Sequence, residues 1–201
     1  TDAGQCYATV SIINATFSDN CPGSVLSYAL SGATSGTGSG YVGSKAFNKG
    51  VTTITYTVTD ASGNTATASQ TVTVNDTQAP SITAASNATI STDLNACVAT
   101  YAVVAATISD NCAIGTLSYV LSGVTTGSGS GQVGTVTLNK GVTTISYTVT
   151  DASGNSATAT QSVTVNDTQA PTVTPAANIS ANITAACSRS VAVPNATISD
   201  K

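Results

Sequence analysis

The chain repeats itself, and that limits what it can fold into more than any other feature. Residues 51–64 read VTTITYTVTDASGN, and residues 142–155 read VTTISYTVTDASGN. At an offset of 91 the register extends further: Cys6 meets Cys97, Cys21 meets Cys112, Asp60 meets Asp151 and Pro80 meets Pro171. Residues 51–80 and 142–171 differ at four positions, all Ser/Thr exchanges. A fixed period of this size makes the repeat, not the 201-residue chain, the folding unit. Pro80 and Pro171 open successive units. Residues 1–79 are then a first unit without its opening strand, 80–170 a complete unit and 171–201 the start of a third. Ends that ignore the period point to a section of a longer chain. The alternative is a strand-exchanged fibre subunit, whose C-terminal segment completes the first unit of the next copy.

Within a unit the pattern is that of short strands. Ile145, Tyr147 and Val149 alternate with Ser146 and Thr148, and Ala157, Ala159, Val163 and Val165 alternate with Thr and Ser. Residues 116–123 and the run from Cys97 towards Thr107 add two more strands, and no segment has a helical period. Roughly six to eight strands per unit, with turn residues at short intervals, predict an all-β fold of tandem immunoglobulin-like β-sandwich repeats. Asn48-Lys49-Gly50 and Asn139-Lys140-Gly141 read as tight hairpin turns. The Gly/Ser-rich stretches 31–40 and 122–131 lack the Lys-Ser/Thr ending and following helix of a phosphate loop, so they read as flexible or bulged connections.

Composition narrows the function. Apolar residues are 41% of the chain, but mostly Ala and Val, with two Phe and no Trp or Met, so each core is thin. Only 7% of residues are charged and the net charge is −4, which leaves nothing to neutralise a run of phosphates: no nucleic-acid partner is expected. No apolar run approaches the ~20 residues of a spanning helix, so no membrane insertion is expected in this segment. The chain has no His, and all nine acids are Asp. Ser-His-Asp and Cys-His constellations are therefore impossible, and the chain is not expected to be an enzyme.

Cys6 and Cys21 are fifteen residues apart, as are Cys97 and Cys112. Equal spacing predicts a local disulfide in each unit, Cys6 with Cys21 and Cys97 with Cys112, each stabilising by roughly 3 kcal/mol. A metal site of soft ligands would need four of them close together, and there is no His to complete one. Cys187 opens the third unit, and its partner is missing: the spacing puts it one residue beyond Lys201. Paired cysteines predict a location outside the cytosol.

Ser-Asp-Asn-Cys at 18–21 and 109–112, Tyr-Thr-Val-Thr-Asp-Ala-Ser-Gly-Asn at 56–64 and 147–155, and VTVNDTQAP at 72–80 and 163–171 resemble the hyalin repeat, or HYR module. The wording is similar to the arrays in giant secreted surface adhesins of Bacteroidota, some of them exported by the type 9 system and used in gliding. The resemblance implies an immunoglobulin-like fold, an extracellular or cell-surface location and a part in adhesion or surface architecture. It brings no enzymatic activity. Many relatives carry another cysteine after the Asp-Ala-Ser-Gly-Asn turn; this chain has Ala and Thr at 66–68 and 157–159, so no second cystine is expected there.

Topology gives the aspartates a second reading. In a sandwich, the loop after the second strand returns to the pole where the chain comes in, and the turn before the last strand lies there too. The linker from the preceding unit reaches the same pole. Asn75, Asp76, Asp110 and Asp151 then meet at one junction, with Asn111 and Asn155 nearby, as a candidate calcium site of hard oxygen ligands. The plainer alternative is that Asp60, Asp151 and the Ser-Asp-Asn loops cap their own turns. The function expected is a structural spacer or stalk in a long surface filament or adhesin, with neighbouring repeats of the same chain as partners. The alternative is a ligand-binding adhesive module for a surface glycan or protein. Low aromatic content argues against a sugar platform.

Overall fold

In this computed structural model, residues 1–182 and 190–200 are described; Cys187 lies outside them. No helix occurs among the described residues, so none is long and apolar enough to cross a membrane. The first repeat supplies β1 (Tyr7–Ser11), β2 (Val25–Gly32), β3 (Gly36–Ser39), β4 (Ser44–Asn48), β5 (Gly50–Thr59) and β6 (Thr65–Val74). The second supplies β7 (Ser81–Thr83), β8 (Ala88–Ser91), β9 (Val98–Ala102), β10 (Thr107–Ser109), β11 (Ile114–Gly123), β12 (Gly127–Ser130), β13 (Thr135–Asn139), β14 (Gly141–Asp151) and β15 (Ser156–Asn166). β16 (Thr172–Thr174) and β17 (Thr197–Ser199) follow. The chain forms two compact units that cut across the repeat register. One holds Thr1–Ala84, Ala106–Ser118 and Tyr147–Ala159; the other holds Ala85–Ala105, Tyr119–Ser146 and Thr160–Lys201.

The first repeat is a small sandwich. One layer is a sheet in the order β3-β2-β5-β6, and the other is the antiparallel β1–β4 ladder. Period-two alternation turns Thr52, Ile54 and Tyr56 of β5 inward. Ile54 and Tyr56 pack with Leu26, Leu30, Phe47, Val72 and Val74, and Phe47 and Ile54 are fully buried. The second repeat has the same order with one strand added, β12-β11-β14-β15-β8, and its own β13–β9 ladder. The added strand β8 runs parallel to β15, from Val163 opposite Ala88 to Asn166 opposite Ser91.

Two local expectations change. β4 pairs with β1, whereas β5 pairs with β2 and β6, so Asn48-Lys49-Gly50 carries the chain from one layer to the other and closes no hairpin. The Gly/Ser-rich stretch is no loose connection either: β3 pairs with β2 from Gly36 opposite Leu30 to Ser39 opposite Ser27. A Cβ on Gly38 would lie 2.5 Å from Cζ of Tyr28, and one on Gly129 would lie 2.7 Å from Cζ of Tyr119. Glycine is needed there to admit a tyrosine ring over the strand.

The cystine expectation is overturned. Cys6 bonds Cys112, with Cα atoms 4.8 Å apart and a sequence separation of 106, while Cys21 and Cys97 are free and exposed. Cys6 O accepts a bond from Lys49 N at the start of β5, whereas Val25, just after Cys21, pairs with Thr59 at its far end. About ten strand residues separate the two cysteines, on the order of 30 Å. A disulfide needs Cα atoms within ~7 Å. Cys97 and Cys112 are kept apart in the same way: Cys97 O receives Lys140 N before β14, and Ala113 O receives Ala152 N after it. The repeated cysteines thus sit at opposite ends of their own repeat, and the bond joins the first repeat to the second.

Candidate metal centre

Beside this cystine, within one compact unit, three aspartates converge. Asp76, Asp110 and Asp151 each present a carboxylate oxygen, all within 4.8 Å of one another. Asp76 comes from the linker after β6, Asp110 from the loop after β10, and Asp151 from the last position of β14. Asp76 and Asp151 are buried and Asp110 is half-buried. Asn75, the fourth expected member, is exposed; its backbone carbonyl accepts a 2.7 Å bond from the Thr1 amino group.

Each carboxylate is held by short local bonds and by amides from elsewhere. Asp151 Oδ1 accepts from the backbone N of Ser153 and of Asn155, both at 2.8 Å, and its Oδ2 from Asn155 Nδ2 at 2.7 Å. Asp60 makes the same three bonds with Ser62 and Asn64, so self-capping is a property of the Asp-Ala-Ser-Gly-Asn turn wherever it occurs. What Asp60 lacks is company. Asn111 Nδ2 donates to Asp76 Oδ1 at 3.3 Å and to Gln5 O at 2.8 Å. Ser153 Oγ donates to Asp76 Oδ2 at 3.3 Å, and Asn155 Nδ2 to Asp76 O at 3.2 Å. The asparagines tie linker, loop and turn together.

Burial opposes ionisation of Asp76, but hydrogen bonds from Asn111, Gln78 N and Ser153 outweigh it and the repulsion of Asp151, and hold its carboxyl below the usual value. For Asp151 burial is likewise overcome, here by the bonds from Asn155, Ser153 and Gly154. Both are anionic at neutral pH. Lys49 Nζ is 4.0 Å from Asp76 Oδ2, and one ammonium cannot neutralise three carboxylates. Asp110 Oδ1 and Asn111 Oδ1 are buried there without a hydrogen-bond partner. Orphaned buried oxygens are rare because losing water without replacement is costly. Oxygen-only donors, excess negative charge and unused lone pairs suit a hard divalent cation such as Ca²⁺.

The chain is similar to the fibronectin(III)-like modules of Clostridium thermocellum CbhA at 17% identity, covering 82% of this chain and 87% of that one, with a TM-score of 0.34. It is similar to the extracellular cadherin domains 3–6 of protocadherin gamma B2 at 15% identity, covering 75% of this chain and 43% of that one, with a TM-score of 0.33. No curated protein matches significantly. The family model of the HYR domain matches residues 11–74 of the chain.

Proposed function

We propose that this segment is a load-bearing spacer of an extracellular, adhesion-type surface protein, built from HYR-like repeats fastened end to end. The observation that carries the reading is the Cys6–Cys112 bond, which spans two repeats instead of closing a loop inside one. Such a bond limits how far the chain lengthens under tension. Pulling the oxidised chain by its ends therefore releases less contour than pulling the reduced chain. The difference is roughly 350–380 Å for 106 residues at full extension. Equal contour lengths in the two states, or specific retention on a glycan array by an intact chain that yields under negligible load, would overturn the spacer reading.

The same junction is proposed to bind calcium through Asp76, Asp110 and Asp151, supported by the orphaned oxygens of Asp110 and Asn111. Thermal unfolding with millimolar Ca²⁺ and with chelator tests this, and identical transitions would remove the metal.

A further inference from the structure

The cystine and the carboxylate cluster share one stretch of chain. Asp110 belongs to the cluster and Cys112 to the disulfide, and Cys112 N donates to Asp110 Oδ2 at 3.0 Å. Between them stands Asn111. Its Nδ2 reaches Gln5 O at 2.8 Å, Asp76 Oδ1 at 3.3 Å and Cys112 Sγ at 3.5 Å. Gln5 is the residue before Cys6, so one amide touches both sides of the disulfide and a carboxylate of the cluster. Whatever holds Asp110 beside Asp76 therefore also holds Cys112 against Cys6, and the reverse. The bond is reachable as well. Both cysteines are half-buried and line a surface cavity of about 510 Å³ with Asn48, Lys49, Gly50 and Ala113.

We propose that the Cys6–Cys112 bond is a reduction site for a dithiol entering through this cavity, and that calcium on Asp76, Asp110 and Asp151 locks the bond shut. This rests on the calcium reading above and adds its regulation. The reason is linkage: an ion that prefers the oxidised junction opposes reduction by the same factor by which reduction weakens its own binding. Opening the bond frees segment 110–112 from Cys6. Asp110 then loses its fixed place beside Asp76 and Asp151, and the ion loses an organised ligand. Couplings between sites run at roughly 5–150-fold, and the loosening of one carboxylate among three belongs near the lower end, about tenfold. In low calcium the junction yields its closed loop to a reductant; in calcium it keeps it.

The chemistry is thiol–disulfide exchange. A thiolate of the dithiol attacks Cys6 Sγ; the disulfide breaks, and Cys112 leaves as a thiolate beside Asn111 Nδ2 and takes up a proton. The second thiolate of the reductant attacks the mixed disulfide and releases Cys6, which is protonated in turn. The cystine gains two electrons, the dithiol loses two and closes to a cyclic disulfide, and its two protons pass to the cysteines.

The test uses the full chain carrying Cys21→Ser, Cys97→Ser and Cys187→Ser. It is equilibrated in mixtures of reduced and oxidised dithiothreitol with calcium or with chelator, then quenched in acid and alkylated. Calcium should raise the ratio of reduced to oxidised dithiothreitol at half-reduction about tenfold. Asp151→Asn should erase that rise, and Asp60→Asn should keep it. Calorimetric titration should show calcium held about tenfold more tightly by this chain than by one that also carries Cys6→Ser and Cys112→Ser. Equal half-reduction ratios, with calcium bound equally by both chains, would overturn the coupling and leave the metal site standing. A chain that binds no calcium in either form would overturn both. A bond that dithiothreitol opens only in denaturant would remove the reduction site, whatever calcium does.

Discussion

The two repeats carry nearly the same β5/β14 and β6/β15 sequences but bury them differently. In the second repeat Val163 and Val165 are 0% and 1% exposed; their counterparts Val72 and Val74 are 8% and 4% exposed. Gln161 is buried, with Nε2 donating to Ser86 O at 2.9 Å, and Ser162 N donates to Asn87 Oδ1 at 2.8 Å. Gln70, its counterpart, is half-buried. Asp151 is buried where Asp60 is half-buried. The cause is the segment 81–91, which lays β7 on β10 and β8 on β15 in the second repeat. Among the described residues, no counterpart covers residues 15–17 and β6 in the first repeat. An opening strand thus does more than cap an edge: it sets how dry the facing strand becomes.

The cystine gives the largest effect. Cys112→Ser should destabilise the oxidised chain by about 4–5 kcal/mol, the chain-entropy value for a loop near 100 residues. Cys21→Ser and Cys97→Ser should stay within about 0.5 kcal/mol, as ordinary surface changes do. Equal losses at all four positions in urea unfolding would restore local pairing and dissolve the contrast between bonded and unbonded cysteines.

Next comes the metal. At about a hundredfold excess over the dissociation constant, calcium should add about 2.7 kcal/mol. Asp151→Asn should abolish the response in calorimetry, and Asp60→Asn should leave it intact, although the two turns have the same hydrogen bonds. If both variants still respond, the ion binds elsewhere.

Smaller still is the packing difference. Val163→Ala should cost about 2 kcal/mol and Val72→Ala about 1 kcal/mol, because β8 leaves no room for the second repeat to relax. Equal costs would mean that the opening strand adds no packing.

Acid should then separate junction from core. Asp76 and Asp151 are held below the ordinary aspartate value in the folded chain. Their contribution is fully present above the unfolded value near 3.9 and is lost as pH falls through the lowered folded values. Melting of the chelated protein should therefore fall below about pH 4, and Asp76→Asn should flatten that slope. An unchanged slope would place the acid sensitivity in other carboxylates.

Much of this was legible beforehand. The alternation of Ile145, Tyr147 and Val149 faithfully reports the buried face of β14. The meeting of Asp76, Asp110 and Asp151 follows from strand direction alone, because alternate loops of a sandwich must share a pole. The same topology, applied to cysteines, would have forbidden the local pairs: a strand lies between Cys6 and Cys21, so its ends cannot touch. Spacing misled there because equal separation in two repeats fits an internal bond and a bond to the neighbour equally well. Asn75 is exposed where Asp76 is buried, because backbone alternation beyond β6 turns one outward and the other inward.

By itself the sequence determined what short-range geometry can enforce: strands from period-two patterning, and the Asp-Ala-Ser-Gly-Asn turn, whose carboxylate and amides lie within four residues and bond identically in both repeats. Tertiary structure alone decided which cysteine meets which, how dry each copy of a near-identical strand becomes, and which capped aspartate gains two charged neighbours. Those outcomes depend on segments some 35–106 positions away in sequence, whose arrival no local preference encodes.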